Sequence, residues 1–191
     1  MNGPKSGRSI PNDARASLRN SQRENFQEEK MKITVIYHSE TGNTKKMADY
    51  LVEGLQAVGD IEAKAFSIDG VDKDFAKESK AVILGSPVYA GTISAKTKMW
   101  LERESKDLQL AGKLTGAFAT ARFIHGGGDV AILSILNHFL VFGALVYSSG
   151  AAKGQPVIHY GPVALGDNPD AYADLFKTYG QRMAEKAKEL F

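Results

Sequence analysis

Lys32-Ile33-Thr34-Val35-Ile36-Tyr37-His38-Ser39-Glu40-Thr41-Gly42-Asn43-Thr44 is the stretch on which the fold turns. Its first six residues are mostly β-branched or aromatic, as in a buried strand. From Asn43 onward Met47, Leu51 and Leu55 recur at i, i+4 and i+8, which predicts a helix to about residue 57. Between the two lies a hydroxyl-rich loop. Ser39, Thr41 and Thr44 offer O–H donors there, Gly42 lets the backbone approach a ligand closely, and Glu40 and Asn43 complete the hexapeptide. A helix that begins at such a loop aims free N–H groups and the positive end of its dipole into it. The loop contains no Lys or Arg, which suits a monophosphate held by amides and hydroxyls. The Gly-Lys-Ser/Thr ending of a triphosphate loop and the G-x-G-x-x-G dinucleotide fingerprint are both absent here. The plainer reading of the same residues is an ordinary helix N-cap.

Outward from this unit the chain alternates between strand and helix patterns. Strands are expected at 61–68, 81–85, 114–120 and 144–148, and helices at 72–79, 95–106 and 129–142. A last helix opens at Asn168-Pro169, with Asn168 as its N-cap. Ala81-Val82-Ile83-Leu84-Gly85 is apolar throughout, as a central parallel strand covered on both faces must be. Five βα units make an α/β domain, a doubly wound five-stranded parallel sheet with helices on both faces. Ligands of such sheets sit at the C-terminal ends of the strands, near the reversal of strand order.

Composition narrows the options. The 191 residues suffice for one domain with a sizeable core. No apolar run approaches a membrane span. Cysteine is absent, which excludes disulfides, thiol nucleophiles and thiolate metal sites and fits a cytoplasmic protein. His38, His125, His138 and His159 are scattered, so no metal site is expected. Basic residues form no stripe interleaved with aromatics, which argues against nucleic acid. Residues 1–30 carry six Lys/Arg and four Asp/Glu and lack apolar periodicity, so they are predicted to be a disordered extension, with the domain at 31–191. The remainder carries 18 residues of each sign and is formally neutral.

Two further loops should converge on the hexapeptide. Ser86-Pro87-Val88-Tyr89-Ala90-Gly91 follows the third strand; Pro87 fixes a turn, and Tyr89 can stack on a planar ring. Thr120-Ala121-Arg122-Phe123-Ile124-His125-Gly126-Gly127 follows the fourth, and its glycines permit close backbone approach. Trp100, mid-helix, reads as core or interface. The helix at 129–142 is apolar around much of its circumference, which predicts a partner, a dimer or tetramer, or cover by later segments of the chain.

The hexapeptide resembles the T/S-x-T-G-x-T phosphate signature of flavodoxins, in the same place after the first strand. Residues 85–99 are similar to the segment that follows the third strand in WrbA-type NAD(P)H:quinone oxidoreductases. His125-Gly126-Gly127 resembles that family's H-G-G element, and His159-Tyr160-Gly161 its late Tyr-Gly segment. The resemblance implies a flavodoxin-like fold and bound FMN, with phosphate at Ser39–Thr44. It places the ring against Ser86, Pro87, Val88, Tyr89, Ala90, Gly91, Thr120, Ala121, Gly126 and Gly127. The second family's activity implies NAD(P)H as donor and a quinone or similar small molecule as acceptor. Arg122 and His125 would then donate to the oxygens that gain charge. The alternative is a flavodoxin-type electron carrier. Such carriers look strongly acidic, and a formally neutral domain argues against that mode of steering. The oxidoreductase is therefore the leading expectation from sequence.

Overall fold

Packing alternates strictly along the strands. Ile33 and Val35 bury into one cluster and Ile36 into another, as side chains on successive strand residues must. The computed structural model of the protein describes residues 30–191. The reading of the N-terminal extension falls, apart from Lys30, outside these residues.

The strands are β1 (Met31–Tyr37), β2 (Ile61–Ser67), β3 (Ala81–Tyr89), β4 (Thr92–Ile93), β5 (Leu114–Ala121), β6 (Leu145–Val146) and β7 (Val163–Leu165). The helices are α1 (Asn43–Gln56), α2 (Lys73–Glu78), α3 (Ala95–Arg103), α4 (Gly128–Val141) and α5 (Ala173–Leu190). The sheet runs β2-β1-β3-β5 and is parallel, with β4 folding back antiparallel on the end of β3. Both β6 and β7 pair parallel with β5, β6 at Leu114–Thr115 and β7 at Ala119–Ala121. Counted over the parallel strands alone, with β6 and β7 together as the fifth, this is a 2-1-3-4-5 order, of which flavodoxins are the standard example and whose reversal lies between β1 and β3.

One core cluster joins Met47, Leu51 and Leu55 of α1 to Phe176, Tyr179 and Met183 of α5. The other joins Trp100 and Leu101 of α3 to Ile132, Ile135 and Phe139 of α4. Trp100 is thus a core residue. The α1–α5 contact is closed by glycines. A methyl group on Gly54 would lie 2.0 Å from the Lys177 carbonyl oxygen, and one on Gly180 would lie 2.3 Å from that of Leu51.

The structure corrects several expectations at the boundaries. β3 runs on to Tyr89, so Ser86, Pro87, Val88 and Tyr89 are strand rather than loop and Pro87 makes no turn, and β5 takes in Thr120 and Ala121. The fifth strand is not a single run at 144–148. It is two short pieces separated by an excursion through residues 147–162. That excursion is held by Arg182 of α5, 8% exposed, which donates to Ser149 Oγ, Pro156 O, Lys153 O and Gln155 O at 2.9–3.2 Å. Asn168 does not cap a helix through its side chain; residues 169–172 form a 3-10 turn, and α5 starts at Ala173. The anchor there is Asp170, bonded to Tyr50 and Lys46 of α1. The helix after β4 stops at Arg103, and a separate 3-10 turn covers 105–108. On α4, Ala131, Ile132, Ile135, Leu136 and Phe139 are covered by the chain itself, whereas Val130, Leu133, Leu140 and Val141 face outward.

Candidate functional site

The loop after β1 closes on itself before the helix starts. Ser39 Oγ accepts the Gly42 N–H at 3.1 Å, and Gly42 adopts φ 93° at the N-cap of α1. That left-handed geometry is available to glycine without strain. Lys46 N–H donates to Gly42 O at 2.9 Å, the first bond of the helix. The amides of Asn43, Thr44 and Lys45 precede it and have no intrahelical acceptor. Thr44 is buried, and its hydroxyl meets that of Thr120 at 2.8 Å, which ties α1 to the end of β5.

A cleft of about 240 Å³ opens over this point, lined by Glu40, Thr41, Asn43, Thr44, Pro87, Val88, Tyr89, Thr120, Ala121, Arg122, Gly166 and Asp167. Ten of the expected site residues therefore meet in one place. Gly166 and Asp167, at the end of β7, complete the wall. Arg122 and Asp167 face each other across the rim at 3.9 Å, both exposed.

The other expected residues lie elsewhere. Ser39 and Gly42 shape the loop rather than line the cleft. Ser86, within β3, is fully buried: its Oγ donates to Pro87 O at 2.8 Å, accepts the Ser94 N–H at 3.1 Å and meets Thr97 Oγ1 at 3.0 Å. Ala90 and Gly91, at φ 49° and 83°, make the tight turn into β4, and Ala90 lines a separate groove against α4. Gly127 packs against that turn; a methyl group on it would lie 2.1 Å from Gly91 O. His125 lies in a neighbouring groove with Ile124, Gly127, Gly128, Asp129, Val130, Val163 and Leu165. Gly126 N–H donates to Phe123 O at 2.9 Å, so the chain turns between Arg122 and His125, which line neighbouring grooves.

Below the phosphate loop sits a group that sequence reasoning passed over. His38 is 3% exposed, with both ring nitrogens engaged, and Glu40 bridges it to Lys96. Lys96 first, then His38, hold the Glu40 carboxyl below the usual carboxylate range, and Glu40 in turn raises the Lys96 ammonium. A larger groove of about 520 Å³ lies between α3 and residues 68–71, but its Lys73 and Lys96 are already paired with Glu104 and Glu40.

The donors at the phosphate end of the cleft are neutral, hydroxyls and three helix-terminal amides, with Arg122 at the rim facing Asp167 and Pro87 and Tyr89 on the opposite wall. This arrangement fits a monophosphate joined to a planar heterocycle. The flavodoxin family profile matches residues 35–191. The chain belongs to the flavodoxin family. Among relatives, the flavodoxin of Clostridium saccharobutylicum is 43% identical over 161 residues, which span 84% of this chain and all of that one. The NAD(P)H dehydrogenase (quinone) of Archaeoglobus fulgidus is 24% identical over 188 residues, 83% of this chain and 98% of that one. A solved WrbA-like protein from Agrobacterium tumefaciens superposes with a TM-score of 0.71 at 22% identity, covering 84% of this chain and 99% of the other. The flavodoxin family binds FMN, and the chain is a flavodoxin-like flavoprotein. Among the described residues no helix is long and apolar enough to cross a membrane.

Proposed function

We propose that the protein is an electron carrier that holds FMN in the cleft between β1, β3 and β5. The observation that carries this reading is the match, at 43% identity, to a flavodoxin over that protein's entire length. It favours the carrier over the oxidoreductase expected from the sequence, because the relatives named NAD(P)H dehydrogenase (quinone) are more distant, at 24–28% identity. The placement of Arg122 on the cleft and of His125 in a neighbouring groove supports the same reading.

In this reading Thr41, Thr44 and the first amides of α1 bind the phosphate. Pro87, Val88 and Tyr89 hold one side of the ring, and Thr120, Ala121 and Arg122 the other. FMN, when bound, supplies one- or two-electron transfer at its ring. The protein's part is to bind that ring, orient it and leave its edge open to a partner.

Anaerobic redox titration of the FMN-loaded protein tests the proposal. Two one-electron steps at separate potentials are expected, with slow reduction by NADH and NADPH in stopped flow. Rapid two-electron reduction by either nicotinamide would restore the oxidoreductase reading, with a nicotinamide donor and a quinone-type acceptor. Self-association through α4 belongs to the same proposal. Its outward Val130, Leu133, Leu140 and Val141 leave apolar side chains exposed on either side of Asn137, a surface a second copy could cover. A dimer or tetramer is expected in light scattering at micromolar concentration; a monomer there removes this part.

A further inference from the structure

His38 stands between the end of β1 and the phosphate loop. Its backbone N–H extends the sheet by donating to Gly85 O at 3.1 Å, which fixes the residue under the loop. Its Nε2 lies 3.0 Å from Glu40 Oε1, and its Nδ1 lies 2.7 Å from Ser94 Oγ. An ionised carboxylate only accepts, so Nε2 carries the proton and donates to Glu40. Nδ1 then accepts from the Ser94 hydroxyl. Ser94 Oγ meanwhile accepts the Thr97 N–H at 3.1 Å, which caps α3. The Thr97 hydroxyl sits 2.8 Å from Ser94 Oγ and 3.0 Å from Ser86 Oγ. Ser86 Oγ gives its own proton to Pro87 O at 2.8 Å, so the Thr97 hydroxyl is the donor between Ser86 and Ser94, Ser94 donates to His38, and His38 donates to Glu40. This chain of hydrogen bonds runs from β3 to the one acidic residue in the phosphate loop.

That acidic residue is the reason the chain matters. A carboxylate beside a phosphate dianion repels it, and the loop contains no cation of its own to offset the charge. In this structure Lys96 Nζ and His38 Nε2 both bind the same oxygen, Glu40 Oε1, at 2.8 and 3.0 Å. One of these partners comes from α3 and the other from below the loop, so the carboxylate is pinned from two directions.

We propose that His38 is a positioning residue for the cofactor: with Lys96 it holds the Glu40 carboxylate off the flavin phosphate and locks the phosphate loop to the end of β3. The inference rests on the placement of the phosphate at residues 39–44. It assigns a role to a buried histidine that touches no part of the ligand.

Apoprotein titrated with FMN and, separately, with riboflavin reads both the placement and the inference. Wild-type protein should prefer FMN to riboflavin strongly; equal affinity would overturn the phosphate placement itself. Given that preference, His38→Leu should weaken FMN about tenfold, equivalent to about 1.4 kcal/mol, and leave riboflavin nearly unchanged. His38→Gln, which can still donate to Glu40, should recover most of the loss. Adding Glu40→Gln to His38→Leu should also recover it, since no carboxylate then remains to approach the phosphate. Lys96→Met on the exposed face of α3 gives the same reading without disturbing a buried side chain: FMN should weaken several-fold, and Glu40→Gln should restore it. Equal weakening of FMN and riboflavin, or failure of Glu40→Gln to restore either variant, would overturn the proposed role while leaving the phosphate placement intact.

Discussion

Replacing Thr41 by alanine and Thr44 by valine together is expected to weaken FMN binding by about 10²- to 10⁴-fold. Each hydroxyl would donate to a charged oxygen, and a hydrogen bond of that kind contributes about 1.5–3 kcal/mol. Two of them make about 3–6 kcal/mol, and every 1.4 kcal/mol is about tenfold in affinity. Thr41 stands in the open part of the loop, on the cleft wall. Thr44 is buried against Thr120 at 2.8 Å; Thr120 can donate to it, which leaves the Thr44 O–H for the phosphate. Valine keeps the shape of Thr44, so the contact between α1 and β5 survives and the effect reads as lost donation. Binding should not vanish, because the amides of Asn43, Thr44 and Lys45 still point into the loop. Fluorescence titration of the apoprotein measures the change. Riboflavin, which lacks the phosphate, should bind the variant nearly as it binds the wild type. Wild-type FMN affinity in the variant would remove the phosphate from this loop.

Gly180→Ala is expected to cost at least about 3 kcal/mol of folding stability, at the top of the usual range for overpacking. The new methyl group would sit 2.3 Å from the Leu51 carbonyl oxygen and 2.9 Å from the Leu55 nitrogen. Both obstacles are backbone atoms of α1, which cannot swing aside as the end of a flexible side chain can. Relief requires α5 to move away from α1, and that opens the cluster built on Leu51, Leu55, Phe176 and Met183. For a domain of this size the melting temperature should fall by about 6–12 °C. A change under 2 °C in calorimetry would show that the two helices separate at little cost.

Much of the fold could be read from short periodicities. The i, i+4, i+8 row of Met47, Leu51 and Leu55 predicted α1, and all three side chains are fully buried. The strand–hydroxyl loop–helix unit identified where the cleft would open. What escaped was whatever depends on partners far along the chain. β7 has three residues, and only pairing with Ala119–Ala121 makes it a strand, so Gly166 and Asp167 gave no local sign of reaching the site. His38 looked like a lone histidine because Ser94, which fixes its other ring nitrogen, comes from the cap of α3, although Glu40 stands only two residues on. Arg122 and His125 share a loop in the sequence, but across the turn between Phe123 and Gly126 they line different grooves. The Asn168-Pro169 pair does mark a turn, but the bonds that anchor it come from Asp170.

The divided fifth strand bears on how the protein avoids aggregation. A sheet that ends in a long, flat strand offers unpaired amides and carbonyls as a template for another chain. Here that rim consists of two residues in β6 and three in β7, interrupted by the segment that Arg182 clasps. An incoming strand would find no continuous ladder to extend. The opposite rim, β2, is unbroken, but it carries Glu62 and Lys64, paired at 2.7 Å, which an added strand would have to strip of water. Joining β6 to β7 by deleting residues 147–162 would regularise the sheet and, by the same reasoning, give it the sticky margin that the native chain lacks.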